Sequence, residues 1–169
     1  TRNRTLFPYT TLFRSLLFAP ERCGGIAAEQ LVGLCFSGKY DRAGVMKLVR
    51  GRGGLLAHLG TSDAMEVERR MARGDERARL VYDAMLYTAA KSIGAMAAAA
   101  GGDIDRIILT GGIAHSAYVA DYLTKKVRFI APVEVMAGEF EMEALAAGAA
   151  RVLSGRETAH RFRDLAKGE

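Results

Sequence analysis

Between Glu21 and Phe36 the apolar positions Ile26, Leu31, Leu34 and Cys35 recur at helical spacing behind Pro20, which predicts a first helix. Asp41 stands where a cap would open a short helix reaching Val49, and Gly51–Gly54 reads as a glycine-rich loop. Ser62 or Asp63 opens the next helical segment, and Gly74 closes it. Asp75–Ala100 is the longest helical pattern, about 39 Å if unbroken at 1.5 Å per residue. Leu80, Ala84, Tyr87 and Ala95 recur near the helical period, and the alanine density of the segment suits close packing against a sheet. Gly101 and Gly102 end it. Ile104–Thr110 carries the run Ile107-Ile108-Leu109 expected of a buried parallel strand. The pair Gly111-Gly112 turns the chain into a helix from about His115 to Lys126. Short or broken strands flank Pro132, at Arg128–Ile130 and Val133–Met136. Glu141–Leu153 reads as a final core helix, followed by a charged tail at 156–169. Helices alternating with strands argue for a layered α/β domain.

The first fifteen residues break this pattern. They hold three arginines, no acid, and the tripeptide Thr-Leu-Phe twice, with Pro8 between the copies. Pro8 interrupts an amphipathic transit helix, and no apolar run of the length a secretory signal needs follows Arg4. Thr5–Ser15, TLFPYTTLFRS, resembles an in-frame translation of a short-read sequencing adapter. Residues 1–15 are therefore set aside, with the expectation that the natural chain is longer at its N-terminus. The whole chain has 24 basic and 19 acidic residues, a net charge of +5. Without Arg2, Arg4 and Arg14 it has 21 basic residues against 19 acidic, or +2. The case for a nucleic-acid partner weakens accordingly. Arg69, Arg70, Arg73, Arg77 and Arg79 are mixed with Glu66, Glu68, Asp75 and Glu76, the pattern of a solvated helix face. No apolar span approaches the roughly 20 residues a bilayer crossing needs. Two cysteines, Cys23 and Cys35, are too few for a disulfide framework and are expected to be buried or neutral thiols in a reducing, cytoplasmic setting.

The most informative segment is Ile107–Ser116, IILTGGIAHS: a strand, two glycines, then a helix start. Glycine lets backbone turn sharply and lets a flat ligand approach, while a helix N-terminus presents free N–H groups. A purely structural β–α turn explains the same residues. The chain has neither a Walker phosphate loop nor a Rossmann fingerprint: Leu56 stands where the third glycine after Gly51-Arg52-Gly53 would be. His58, His115 and His160 have no metal-ligand spacing with the cysteines. There is also no Gly-x-Ser-x-Gly nucleophile elbow.

This segment resembles the adenosine motif of the acetate and sugar kinase, heat-shock ATPase and actin superfamily, and within it the acetokinase family. Ala19–Arg22, Leu34–Tyr40, Gly51–Gly54, Leu59–Asp63, Gly74–Glu76 with Ala78, Gly94-Ala95, Phe129–Val133 and Gly138–Leu145 agree in order. The resemblance covers about residues 18–155. It implies an α/β, ribonuclease-H-like (actin-like ATPase) lobe at 16–155, a mixed sheet flanked by helices, incomplete relative to a two-lobe parent. It implies ATP/ADP and Mg²⁺ as cofactors and a short-chain carboxylate such as butyrate as substrate, with acetate or branched-chain acids as alternatives. A homodimer or higher oligomer is implied for the parent. The N-terminal lobe of the family supplies the phosphate loop and part of the acyl-substrate and catalytic set, so this chain alone is expected to turn over little. A non-catalytic nucleotide-binding or interaction module is the other reading.

By resemblance, Gly111, Gly112 and Ile113 form the floor beneath adenine and ribose, and His115 and Ser116 lie near the sugar or α-phosphate. Ser116 reads equally as a plain helix cap, and His115 as a polar surface residue. Asp63 matches a nucleotide-contacting position and also reads as a helix cap. Two residues on, Met65 stands where the family usually has Arg, which removes a group able to stack on adenine and pair with phosphate. Glu139, Glu141 and Glu143 lie at the start of the last helix, where acids favour the dipole. Of these, Glu141 matches the carboxylate that faces Mg²⁺ through water.

Overall fold

The computed structural model describes residues 17–138 and 141–159. Strands β1 (Phe18–Ala19) and β2 (Arg22–Cys23) form an antiparallel hairpin. Helices α1 (Ala28–Cys35), α2 (Arg42–Val49), α3 (Gly54–Leu59), α4 (Ala64–Ala72) and α5 (Glu76–Ala99) follow. Then come β3 (Ile107–Gly111), a 3₁₀ turn (Gly112–His115), α6 (Ala117–Val127), β4 (Val133–Ala137) and α7 (Glu141–Leu153). Among the described residues the strands make two separate two-stranded sheets, β1–β2 and the parallel pair β3–β4.

Capping decides where the helices begin. Asp41, Asp63, Asp75 and Ser116 each accept a backbone N–H from the first turn of α2, α4, α5 and α6. Of the two candidates at the start of α4, Ser62 and Asp63, Asp63 is the cap. The main core joins α3, α4, α5 and α6 through Leu55, Val67, Met71, Tyr82, Met85, Leu86, Val119 and Leu123. A smaller cluster of Ile107, Val127 and Ala131 seats β3 against α6.

Several expectations are corrected. The chain from Glu21 turns into a hairpin and not a helix, because Pro20 sits in its turn and Gly24 takes φ +79°. Helix α1 buries no residue; Leu31 and Leu34 are half-buried, while Ile26 and Cys35 are exposed. Gly51–Gly54 is not only a loop, since Gly54 starts α3. The stripe Leu80, Ala84, Tyr87, Ala95 lies on the outside of α5, with Leu80 72% exposed. The buried face is Ala78, Tyr82, Met85, Leu86 and Ala97. Two apolar faces compete on this helix, and the one holding Tyr82 and Met85 meets α4 and α6.

Strand β3 is parallel, as expected, but buried on one face only: Ile107 is covered while Ile108 is 54% exposed. Helices cover one side of the β3–β4 pair, and alternation carries Ile108 to the other. Arg128–Ile130 is not a strand but the turn after α6. Helix α6 begins at Ala117, after the 3₁₀ turn that holds His115. Helix α7 is not a core helix: Met142, Leu145 and Leu153 are exposed. An amphipathic stripe is buried only where another element lies across it. Arg70 is likewise no freely solvated charge, since its guanidinium bonds Asp75 and the Leu59 carbonyl. No helix among the described residues is long and apolar enough to cross a membrane.

Candidate nucleotide site

The site begins where β3 runs out. Gly111 takes φ +85°, a conformation that side chains disfavour, and so reverses the chain at the strand end. Its N–H donates to the Gly138 carbonyl at 3.1 Å, tying the turn to the end of β4. Gly112, Ile113, Ala114 and His115 form the 3₁₀ turn; Ala114 is buried, whereas Gly112, Ile113 and His115 face outward. A Cβ built on Gly111 or Gly112 would meet no heavy atom within 4 Å. Gly112 has no positive φ either. Among the described residues, neither packing nor backbone conformation demands glycine at 112.

Ser116 closes the turn and takes the cap role. Its Oγ accepts the Val119 N–H at 3.1 Å and donates to Glu68 Oε1 at 2.6 Å. Tyr82, wholly buried, donates its hydroxyl to the same oxygen at 2.9 Å. Burial first, and the Glu68 carboxylate second, raise the Tyr82 phenol above its ordinary range. Glu68 therefore lies at the N-terminus of α6, the position an anion would otherwise favour. A phosphate there would meet a negative charge, so the loop suits the uncharged part of a ligand.

Asp63 lies at the start of α4, five residues before Glu68. Its Oδ1 accepts the Met65 N–H at 2.8 Å and its Oδ2 lies 3.6 Å from Arg69. The cap role is thus satisfied locally. Met65 is 71% exposed on the same turn. Glu139 lies outside the described residues, as does His160. Glu141 is the first residue of α7. No group of three or more metal-ligating side chains is gathered among the described residues.

The hairpin adds residues that the sequence reading did not single out. A cavity of about 530 Å³ lies beside it, lined by Arg22, Arg50, Ser62 and Glu21 with neighbouring backbone. Arg22 and Arg50 form an antiparallel bridge, and Arg22 Nε is buried with no hydrogen-bond partner among the described residues. Arginines on the wall of a cavity suit an anionic oxygen. Arginines set among glycines in Glu-Arg-Cys-Gly and Val-Arg-Gly-Arg-Gly-Gly carried the signal, hidden by the helix expected from Glu21.

The acetokinase family profile matches residues 17–158. The chain belongs to the acetokinase family. Butyrate kinase 2 of Clostridium acetobutylicum is 47% identical over 146 residues, covering 86% of this chain and 41% of that protein. A probable butyrate kinase 2 of Caldanaerobacter subterraneus subsp. tengcongensis is 50% identical over 141 residues, covering 83% and 40%. The crystal structure of Porphyromonas gingivalis acetate kinase superposes with a TM-score of 0.73 at 24% identity, over 82% of this chain and 41% of that one. This acetokinase-family chain thus has the actin-like α/β fold expected of it, and it spans about two fifths of the length of the curated relatives it matches.

Proposed function

We propose that this chain is the nucleotide-holding part of a short-chain carboxylate kinase, whose complete form makes butanoyl phosphate and ADP from ATP and butanoate. The observation that carries the reading is Gly112, a glycine that the fold of the described residues does not require, on an outward turn between a strand end and a helix cap. Adenine and ribose lie over Gly111, Gly112 and Ile113, with His115 at the rim.

The phosphates extend away from Glu68, toward cationic groups. Arg22 and Arg50 are the groups this chain offers to the oxygens of the transferring phosphoryl group or of the acyl phosphate. In the complete enzyme a butanoate oxygen attacks the γ-phosphorus. The bond to the β–γ bridging oxygen breaks, and ADP leaves with the electron pair. A carboxylate is already ionised near neutral pH, so the protein's work is alignment and neutralisation of charge. Mg²⁺ would supply charge neutralisation on the nucleotide phosphates. A single carboxylate, Glu141, acting through water, fits an ion that keeps most of its hydration.

The chain spans about two fifths of the length of its relatives, and by itself it turns over little or not at all. A hydroxylamine trap for acyl phosphate, run with butyrate, ATP and Mg²⁺, tests this; rapid hydroxamate formation by the purified chain contradicts it. The relatives named butyrate kinase, at 47–50% identity, favour butyrate over acetate as the parent substrate.

A further inference from the structure

We propose that Glu68 is a positioning residue for the nucleotide turn, acting through Ser116 and never touching the ligand; this rests on the Gly111–Ser116 turn holding adenosine. Glu68 lies on α4, forty-eight residues from Ser116, yet its Oε1 receives both the Ser116 hydroxyl at 2.6 Å and the Tyr82 hydroxyl at 2.9 Å. A serine hydroxyl has one proton. Giving it to Glu68 turns its lone pairs toward the Val119 N–H at 3.1 Å. The rotor is thereby fixed, and so is the residue from which the turn hangs: the Ser116 N–H bonds the Ile113 carbonyl at 3.1 Å.

The turn is held at three points. Gly111 bonds Gly138 at its start, Ala114 is buried in its middle, and Ser116 is tied to Glu68 at its end. Gly112, Ile113 and His115, between these points, are the surface left for a ligand. The first two holds are backbone and packing. The third is the one that side-chain chemistry alone provides, and it is rooted in the core because Tyr82 has no solvent exposure.

Glu68 thus sets the pose of the turn against the α4–α5 face. Loss of the carboxylate frees the Ser116 rotor and leaves the turn with a backbone tether and one buried alanine. Around bound metals, removing the hydrogen-bond partner of a ligating group changes affinity tenfold or more, and a loss of that order is expected at this turn.

The test compares Glu68→Ala with Glu68→Gln, whose amide oxygen keeps both acceptor bonds. We expect Glu68→Ala to bind Mg·ADP about tenfold more weakly by calorimetry, and Glu68→Gln to restore affinity to within about twofold. Val67→Ala, a neighbouring core truncation, lowers the melting temperature with affinity unchanged, which separates positioning from general stability. Hydrogen exchange at the Ala114 to Ser116 amides of the free chain is read in parallel. Faster exchange there in Glu68→Ala, reversed in Glu68→Gln, supports positioning even if the parent chain binds no ADP, an outcome that would remove the nucleotide reading alone. Unchanged exchange and unchanged affinity in Glu68→Ala overturn the proposal. If Glu68→Ala does not fold, Glu68→Ala with Tyr82→Phe removes the stranded hydroxyl and is read the same way.

Discussion

Arg70 places two nitrogens on one oxygen of Asp75, Nε at 2.9 Å and Nη2 at 2.8 Å from Oδ2, and so locks the turn between the α4 and α5 helices. The other carboxylate oxygen accepts the Ala78 N–H at 2.9 Å and starts α5, while Arg70 Nη1 reaches back to the Leu59 carbonyl. The Ala78 N–H and then Arg70 hold the Asp75 carboxyl below its ordinary pKa of 3.8. A carboxyl lowered in the fold stabilises it at pH values above 3.8 and loses that contribution as pH falls through the lowered value. Asp75→Asn is therefore expected to lower the melting temperature at pH 7, with the difference from the parent shrinking below pH 3.8. Thermal scans from pH 7 to pH 3 check this; a gap that is constant with pH contradicts it.

Tyrosines give the opposite slope. Burial and the Asp83 carboxylate push the Tyr118 phenol up to about 12, and Tyr82 is raised further by burial and Glu68. Neutral phenols in the fold contribute fully below pH 10 and less as pH rises beyond it. Absorbance titration is expected to show these two phenols ionising only above the ordinary range, or together with unfolding. Ionisation of all six tyrosines near pH 10 would contradict the packing described.

Gly54 is where the hairpin meets α3. A Cβ there would lie 1.7 Å from the Ala19 carbonyl oxygen, and its φ is +64°. Gly54→Ala is expected to destabilise by about 3 kcal/mol through clash and backbone strain together, and to disturb the Arg22 and Arg50 cavity. Gly33→Ala, in open space on α1, is expected to stabilise by about 0.5–1 kcal/mol. Urea melts of both variants measure the contrast.

The two faces of α5 separate cleanly by truncation. Leu86, 2% exposed, is expected to cost about 2–5 kcal/mol as Leu86→Ala. Leu80, 72% exposed, is expected to change stability by less than about 0.5 kcal/mol as Leu80→Ala. Equal costs for the two would contradict the orientation of α5.

The same helix shows what the sequence could convey. Its ends were legible, because Asp75 as a cap and Gly101 as a stop act within one turn. Its inward face was not, because Leu80 and Tyr87 are as apolar as Tyr82 and Leu86, and only the positions of α4 and α6 decide between them. The hairpin at Phe18–Cys23 was missed for a similar reason: two-residue strands leave no period, and their partner, Gly54, is remote in sequence. Gly111–Ser116 was legible because strand end, glycine pair and cap are consecutive. Glu68 was not, because nothing in sequence links it to Ser116 across forty-eight positions.

Adenosine is proposed to lie on Gly111–Ser116. Hydrogen exchange of the purified chain with and without Mg·ADP tests it most directly. Slowed exchange is expected at the amides of the outward-facing residues Gly112, Ile113 and His115. Saturable ADP binding that leaves these amides unchanged while protecting another region would contradict it.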